Sequence, residues 1–369
     1  MFECHAAICE RPGQDLVIDR VRVESPRDGE VLIEIAASGL CHTDLTALDG
    51  SNAACVYPLI PGHEGAGRVI EIGRGVAGLR PGDHVIPLYG PECGTCRMCA
   101  SGRTNLCWSI KATRDKGVMP DGSARFHRDG ETVHHFMGTS TFSRYTVLPE
   151  IAVAKIRADA PLDRACLLGC GVTTGIGAAL DDVRPGDRVA IFGLGGIGIN
   201  VVQGARLAGA AQIIGIDINA GRTELCRSLG MTDFVDARAE GSRTVEAIRD
   251  LTEGGADVVF ECTGLVPVMR QAFDAAAPAW GCCVLLGVEP KGAELAIPPV
   301  GLRYGRKLKG SYFGGVKGRS GLAHFVDLYM EGKIVIDPLI SHRLDLAQIN
   351  EGFAMMKSGA ALRSVIVYE

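Results

Sequence analysis

This 369-residue chain has no unbroken apolar run long enough to cross a bilayer, no excess of basic residues, and no internal repeat or low-complexity tract. Each absence excludes something. Lys and Arg total 38 against 43 Asp and Glu, a formal charge of −5, so there is no basic footprint for nucleic acid and none is expected as a partner. A membrane is not expected either. The opening MFECHAAICERPG shows no basic start followed by an apolar stretch. With fourteen cysteines and no such leader, the expected setting is a reducing cytoplasm, with the thiols free or bound to metal. A hydrophobic content of 47% with 22% charged residues excludes disorder and describes a globular protein with sizeable cores.

The length exceeds what one core usually serves, and the pattern changes along the chain. Residues 1–170 read as short strands broken by Gly and Pro, such as VLIEIAASG at 31–39 and AGRVIEIG at 66–73, which predicts a β-rich, barrel-like domain. From 171 the rhythm becomes strand, helix, strand: RVAIFGLGGIG, INVVQGARLAGA, QIIGIDI, then a helical GRTELCRSLG. DVVFECTG at 257–264 and CCVLLGV at 282–288 extend the series with the continuous apolar runs of buried parallel strands. Beyond 312 the pattern changes again. The expected division is therefore 1–170 with 313–369, and 171–312 between them.

Cys93, Cys96, Cys99 and Cys107 follow a C-x2-C-x2-C-x7-C spacing in a lobe at about 91–109. Four thiolates so spaced can close a tetrahedral zinc site with no open position, and Gly94 and Gly102 supply the turns. An iron–sulfur cluster also takes four cysteines, but its familiar runs have other last gaps and a Pro after the final Cys, where this chain has Trp108. Zinc is the better fit.

Gly193-Leu194-Gly195-Gly196-Ile197-Gly198 makes a G-x-G-x-x-G turn after a predicted strand and before a predicted helix. Bare glycine backbone lets a pyrophosphate approach the helix N-terminus. Asp217, nineteen residues beyond Gly198, ends the next strand, where an acid can accept hydrogen bonds from an adenosine ribose and repel a 2′-phosphate. NAD(H) is expected over NADP(H), with Arg222 nearby as the countervailing charge.

A third set is Cys41-His42-Thr43-Asp44, Gly62-His63-Glu64 and Gly169-Cys170-Gly171. Taken singly, Cys41, His63 and Cys170 read as buried thiols and a core imidazole. Together they are a soft zinc set that leaves a fourth position free for water or substrate, as catalytic zinc requires.

CHTDL, GHEGAGRV, KGVMPDGSARF, HFMGTSTFSRYTV, CLLGCGVTTG and FGLGGIG resemble the zinc-dependent medium-chain alcohol dehydrogenases, over essentially the whole chain and most closely the class III branch, which acts on glutathione adducts of formaldehyde. The resemblance implies an α/β fold, in which a GroES-like catalytic domain from both chain ends joins a Rossmann domain, and a homodimer or tetramer. It implies two zinc ions per chain, the catalytic one on Cys41, His63 and Cys170. It further implies that Thr43 takes the alcohol proton, that Asp44 orients His63, and that Glu64 stands behind the metal. His42 and Arg363 would meet the NAD pyrophosphate, Thr174 the nicotinamide and Arg222 the adenosine ribose, with Phe313-Gly314-Gly315 passing close to the cofactor. For Arg363 a solvated surface position is nearly as good a reading.

Class III members also place two acids before the GHE motif and an Arg after the last structural cysteine; the matching residues here are Asn52, Ala54 and Lys111. Losing both carboxylates removes the partners of a substrate ammonium group, and Lys111 keeps a charge without a bidentate fork. Thr46 stands where many relatives of the family have a relay histidine. The expectation is a zinc- and NAD-dependent dehydrogenase of medium- or long-chain, terpenoid or aromatic primary alcohols. Oxidation of an S-hydroxymethyl thiol ranks second, and a nicotinoprotein or a non-catalytic zinc-binding relative further back.

Overall fold

A computed structural model describes all residues 1–369. The chain divides into two compact units, Met1–Cys170 with Val316–Glu369, and Gly171–Gly315. Phe313–Gly315 thus group with the middle segment. They pass along its first helix, Gly171–Asp182: a Cβ on Gly314 would lie 2.6 Å from Thr174 O. Phe313, Gly314 and Gly315 all have left-handed backbone, with φ of 54°, 62° and 73°. Two glycines in that run spare two of the three residues the cost of a Cβ there.

The first unit carries two sheets. One has five strands, in the order Phe2–Ile8, Val17–Val23, Phe126–Arg128, Glu131–His135 and Leu59–Ile60. The other has seven, centred on Glu30–Gly39, which pairs antiparallel with Glu64–Ile72, Tyr145–Pro149 and Arg363–Val367. Because Arg363–Val367 comes from the far end of the chain, both ends contribute to one sheet. Alternation along Glu30–Gly39 sends Val31, Ile33 and Ile35 into a core with Val69, Val85 and Leu148. Leu32 points to the other core, with Ile8, Leu59, Phe126, Phe142 and Phe353.

The second unit is a six-stranded parallel sheet in the order Asp233–Asp236, Gln212–Asp217, Arg188–Phe192, Val258–Glu261, Cys282–Leu285 and Lys307–Gly310. That order, reversing beside the first strand, is the doubly wound dinucleotide-binding topology. Val258–Glu261 and Cys282–Leu285 are shorter than their apolar runs suggest. The chain turns at Thr263 and Gly264, where Glu261 accepts hydrogen bonds from both backbone N–H groups.

Candidate metal centres and dinucleotide turn

Four sulfurs come together in the lobe at 93–107. Cys93 Sγ lies 3.9 Å from Cys99 Sγ and Cys96 Sγ 3.8 Å from Cys107 Sγ. A disulfide would bring a pair to about 2.05 Å, whereas a tetrahedron of zinc–sulfur bonds at 2.3 Å separates its sulfurs by roughly 3.8 Å. The geometry is that of a metal cage. Gly94 and Gly102, at φ 77° and 81°, turn the chain around it. Burial opposes ionisation of Cys93, but N–H donors from Cys96 and Thr95 draw its thiol down to about 5.

A second cluster gathers residues from far-apart segments of the first unit. Cys41 caps the helix His42–Leu48, His63 precedes the strand Glu64–Ile72, and Cys170 ends the turn that starts at Cys166. The ligand atoms of Cys41, His63, Glu64 and Cys170 all lie within 4.8 Å of one another. Asp44 organises them: its carboxylate accepts from His63 Nδ1 at 2.9 Å, Gly62 N at 3.1 Å and Cys41 N at 3.2 Å. His63 and Asp44 are fully buried. Burial opposes protonation of His63, but Asp44 and Cys41 raise its pKa well above 6.5; in the neutral ring, with Nδ1–H given to Asp44, the buried Nε2 carries a lone pair and has no protein hydrogen-bond partner. A buried imidazole nitrogen close to two sulfurs fits a metal-ligand set. The Cys170 thiol hydrogen-bonded to Cys41, aided by His63 and Arg363, holds Cys41 well below the ordinary thiol range, and the same contact holds Cys170 above it.

Glu64 is buried behind this cluster. Its Oε2 pairs with Arg363 Nη2, and Oε1 has no partner. Burial, partly offset by Arg363, lifts the Glu64 carboxyl to about 7. Gly39 makes the space, since a Cβ there would sit 2.6 Å from Glu64 Oε2. The surface reading of Arg363 is corrected here: it is buried, and a second contact runs to Leu40 O at 3.2 Å. Composition gives no warning of this, because the carboxylate that draws Arg363 inward is 299 residues away. Tyr89 is a neighbour that the sequence motifs miss, with its ring edge-on to His63 at 5.6 Å.

Thr43 is half-buried beside Cys41, and its carbonyl accepts from Thr46 Oγ1 at 2.7 Å. His42 is exposed. Asn52 Oδ1 is occupied by Ala54 N at 3.0 Å, and the Lys111 ammonium is paired with Asp115 one turn further along. Arg114, in the same turn, donates to Tyr89 O at 2.7 Å, which ties this segment to the residue flanking His63.

In the second unit the dinucleotide turn is held by its neighbours. Gly193 has φ 86°, and a Cβ on Gly198 would fall 1.8 Å from Gly193 O, so neither position tolerates a side chain. Asp217 accepts from Leu194 N at 2.6 Å and Asn219 N at 2.8 Å. Arg222 Nη1 donates to Leu194 O at 3.2 Å and lies 3.8 Å from Asp217. Thr174 is buried in the adjoining helix.

Residues 27–158 match the alcohol dehydrogenase GroES-like domain and 196–329 the zinc-binding dehydrogenase domain. The chain is 50% identical to a class-3 alcohol dehydrogenase of Cereibacter sphaeroides, over 98% of its own length and 99% of the relative's. It belongs to the zinc-binding alcohol dehydrogenases. An S-(hydroxymethyl)glutathione dehydrogenase of Paracoccus denitrificans is equally similar, 50% identical over 98% of this chain and 99% of the other. Among solved structures, a benzyl alcohol dehydrogenase of Acinetobacter calcoaceticus superposes with a TM-score of 0.93 at 28% identity, covering both chains fully. This dehydrogenase is therefore class III-like, and its cofactors are zinc and NAD.

Proposed function

We propose that this dehydrogenase oxidises the S-hydroxymethyl adduct that formaldehyde forms with a low-molecular-weight thiol. The observation that carries the reading is near-complete coverage at 50% identity by a relative named for that substrate, joined to a buried thiolate–imidazole cluster with an open acceptor. This order reverses the preference for medium- or long-chain alcohols that the missing acid pair suggested. In the net change the carbinol carbon gives up a hydride and its hydroxyl a proton, turning a hydroxymethyl thioether into an S-formyl thioester.

Cys41, His63 and Cys170 would hold the catalytic zinc, and Cys93, Cys96, Cys99 and Cys107 the structural one. The bound groups supply Lewis acidity, which lowers the pKa of a substrate hydroxyl, and a nicotinamide that accepts hydride. Thr43 takes the hydroxyl proton. Asp44 fixes the His63 tautomer and ring orientation. Glu64, neutralised by Arg363, keeps the rear of the site close to uncharged. Gly193, Gly195, Gly196, Ile197 and Gly198 receive the pyrophosphate, and Asp217, flanked by Arg222, receives the ribose diol. By family resemblance His42 and Arg363 would meet the pyrophosphate, and Thr174 and Phe313 the nicotinamide. The protein acts in the cytoplasm as a homodimer. Support for the dimer comes from Lys307–Gly310, an edge strand of the parallel sheet, with Val300, Leu302 and Tyr304 exposed just before it.

A second reading keeps the primary alcohols. Asn52 and Ala54 offer no carboxylate, and Lys111 is engaged by Asp115. The test is the initial rate of NAD reduction with formaldehyde plus glutathione, set beside an aromatic or long-chain primary alcohol without thiol. A strong thiol-dependent rate is expected. A strong rate with the alcohol alone would replace the first reading by the second.

A further inference from the structure

The helix that follows the dinucleotide turn, Gly198–Leu207, begins irregularly. In a regular helix Asn200 N would donate to the carbonyl four residues back, on Gly196. Instead Asn200 N and Val201 N both donate to Ile197 O, at 2.9 and 3.0 Å. The Asn200 side chain takes over the vacated bond, with Nδ2 donating to Gly196 O at 2.8 Å. Gln203 Nε2 in turn donates to Asn200 Oδ1 at 3.0 Å. Chemistry fixes the orientation of both amides: a carbonyl can only accept, so it must face the NH2 end of Asn200, which leaves Oδ1 for Gln203.

These two polar side chains are almost wholly buried, at 1% and 0% exposed. A helix places residues 200 and 203 on one face, and the stretch INVVQGARL is otherwise apolar there. The helix Gly171–Asp182 closes over them. A Cβ on Gly175 would lie 2.5 Å from Ile197 O and 2.8 Å from Asn200 Cβ, so the two helices meet in close contact at Asn200 because Gly175 has no side chain.

We propose that Asn200, steadied by Gln203, is a positioning residue for NAD: by holding the Gly196 carbonyl inward it keeps the turn presenting N–H groups, not a carbonyl oxygen, to the cofactor pyrophosphate. A rotated Gly196 peptide would set a partial negative charge against the phosphates, where a helix N-terminus otherwise favours an anion. This rests on the assignment of Gly193–Gly198 to the pyrophosphate.

The test uses the zinc-loaded enzyme and three variants, Asn200→Ala, Asn200→Asp and Gln203→Met. Loss of one buried hydrogen bond should raise the dissociation constant of NADH and the KM for NAD about three- to tenfold in Asn200→Ala, with kcat not lowered. Asn200→Asp should weaken binding further, since its carboxylate opposes both the Gly196 carbonyl and the phosphates. Gln203→Met, remote from the turn, should fall between wild type and Asn200→Ala, and it keeps the test available where an Asn200 variant folds poorly. ADP-ribose, which has the pyrophosphate but no nicotinamide, should weaken in parallel with NADH, whereas adenosine should not. Variants that bind NADH and ADP-ribose within twofold of wild type would overturn the proposal, as would an equal loss of adenosine. If wild-type enzyme binds adenosine but gains nothing from the pyrophosphate of ADP-ribose, the assignment of the turn falls as well.

Discussion

The two cysteine clusters use similar ligands to opposite ends. The lobe at 93–107 draws four sulfurs from fifteen consecutive residues. Its ligands are paired with one another and with nearby backbone donors, so a metal there is enclosed. The second cluster draws Cys41, His63 and Cys170 from three segments. It is surrounded by buried groups that regulate its charge: Asp44 on His63, and Arg363 on Glu64. Local spacing is enough to build a closed cage, whereas an open site needs the folded protein to keep its ligands apart and a position free.

The contrast can be tested from its strongest consequence downward. Thr43→Val removes a hydroxyl beside the open cluster and should lower kcat by about 100-fold or more, with both metals retained on elemental analysis. Full activity would remove Thr43 from the proton path. Cys99→Ala opens the closed cage, and the lost metal should cost about 3 kcal/mol or more of stability, or roughly 6–12 °C in melting temperature. Calorimetry showing an unchanged melting temperature would contradict a structural role. Asp44→Asn leaves the ligands in place but disturbs the hydrogen bond that orients His63, and should cost about 10- to 100-fold in metal affinity or activity. A chelator competition assay reads that directly.

His135 provides a control for His63. It too is buried, but it lacks a carboxylate or thiolate partner, and burial, with Arg125 nearby, pushes its pKa from 6.5 to about 3. The native state therefore holds a neutral imidazole. As pH falls below 6.5 the unfolded chain takes up the proton first, so this stabilisation is present above 6.5 and is lost progressively down to about 3. Urea unfolding should show a decrease of about 1 kcal/mol from pH 6.5 to 5.5 that is smaller in His135→Asn. Equal slopes in both proteins would rule out His135 as the source.

How legible each feature was depended on how far apart its parts lie. The four-cysteine lobe and the glycine turn are local and could be read from spacing alone. The parallel sheet was readable because its buried strands are mostly apolar, although the end of the 257–264 run is a turn pinned by Glu261. Arg363 could not be placed, because an arginine near a chain end looks solvated until Glu64 is brought against it. Asn200 and Gln203 did leave a trace, as polar residues three apart in an apolar helix, but their purpose depends on a hydrogen bond that only the folded turn reveals. The engagement of Lys111 by Asp115 needed only the helical i, i+4 rule.

The most direct test of the division between the two clusters is zinc content, melting temperature and turnover measured together on Cys170→Ser. The account predicts that the wild-type chain carries two zinc ions, and that the variant keeps the one in the 93–107 lobe, melts close to wild type and has lost turnover. A variant that still turns over with one zinc, or that unfolds as readily as Cys99→Ala, would contradict it.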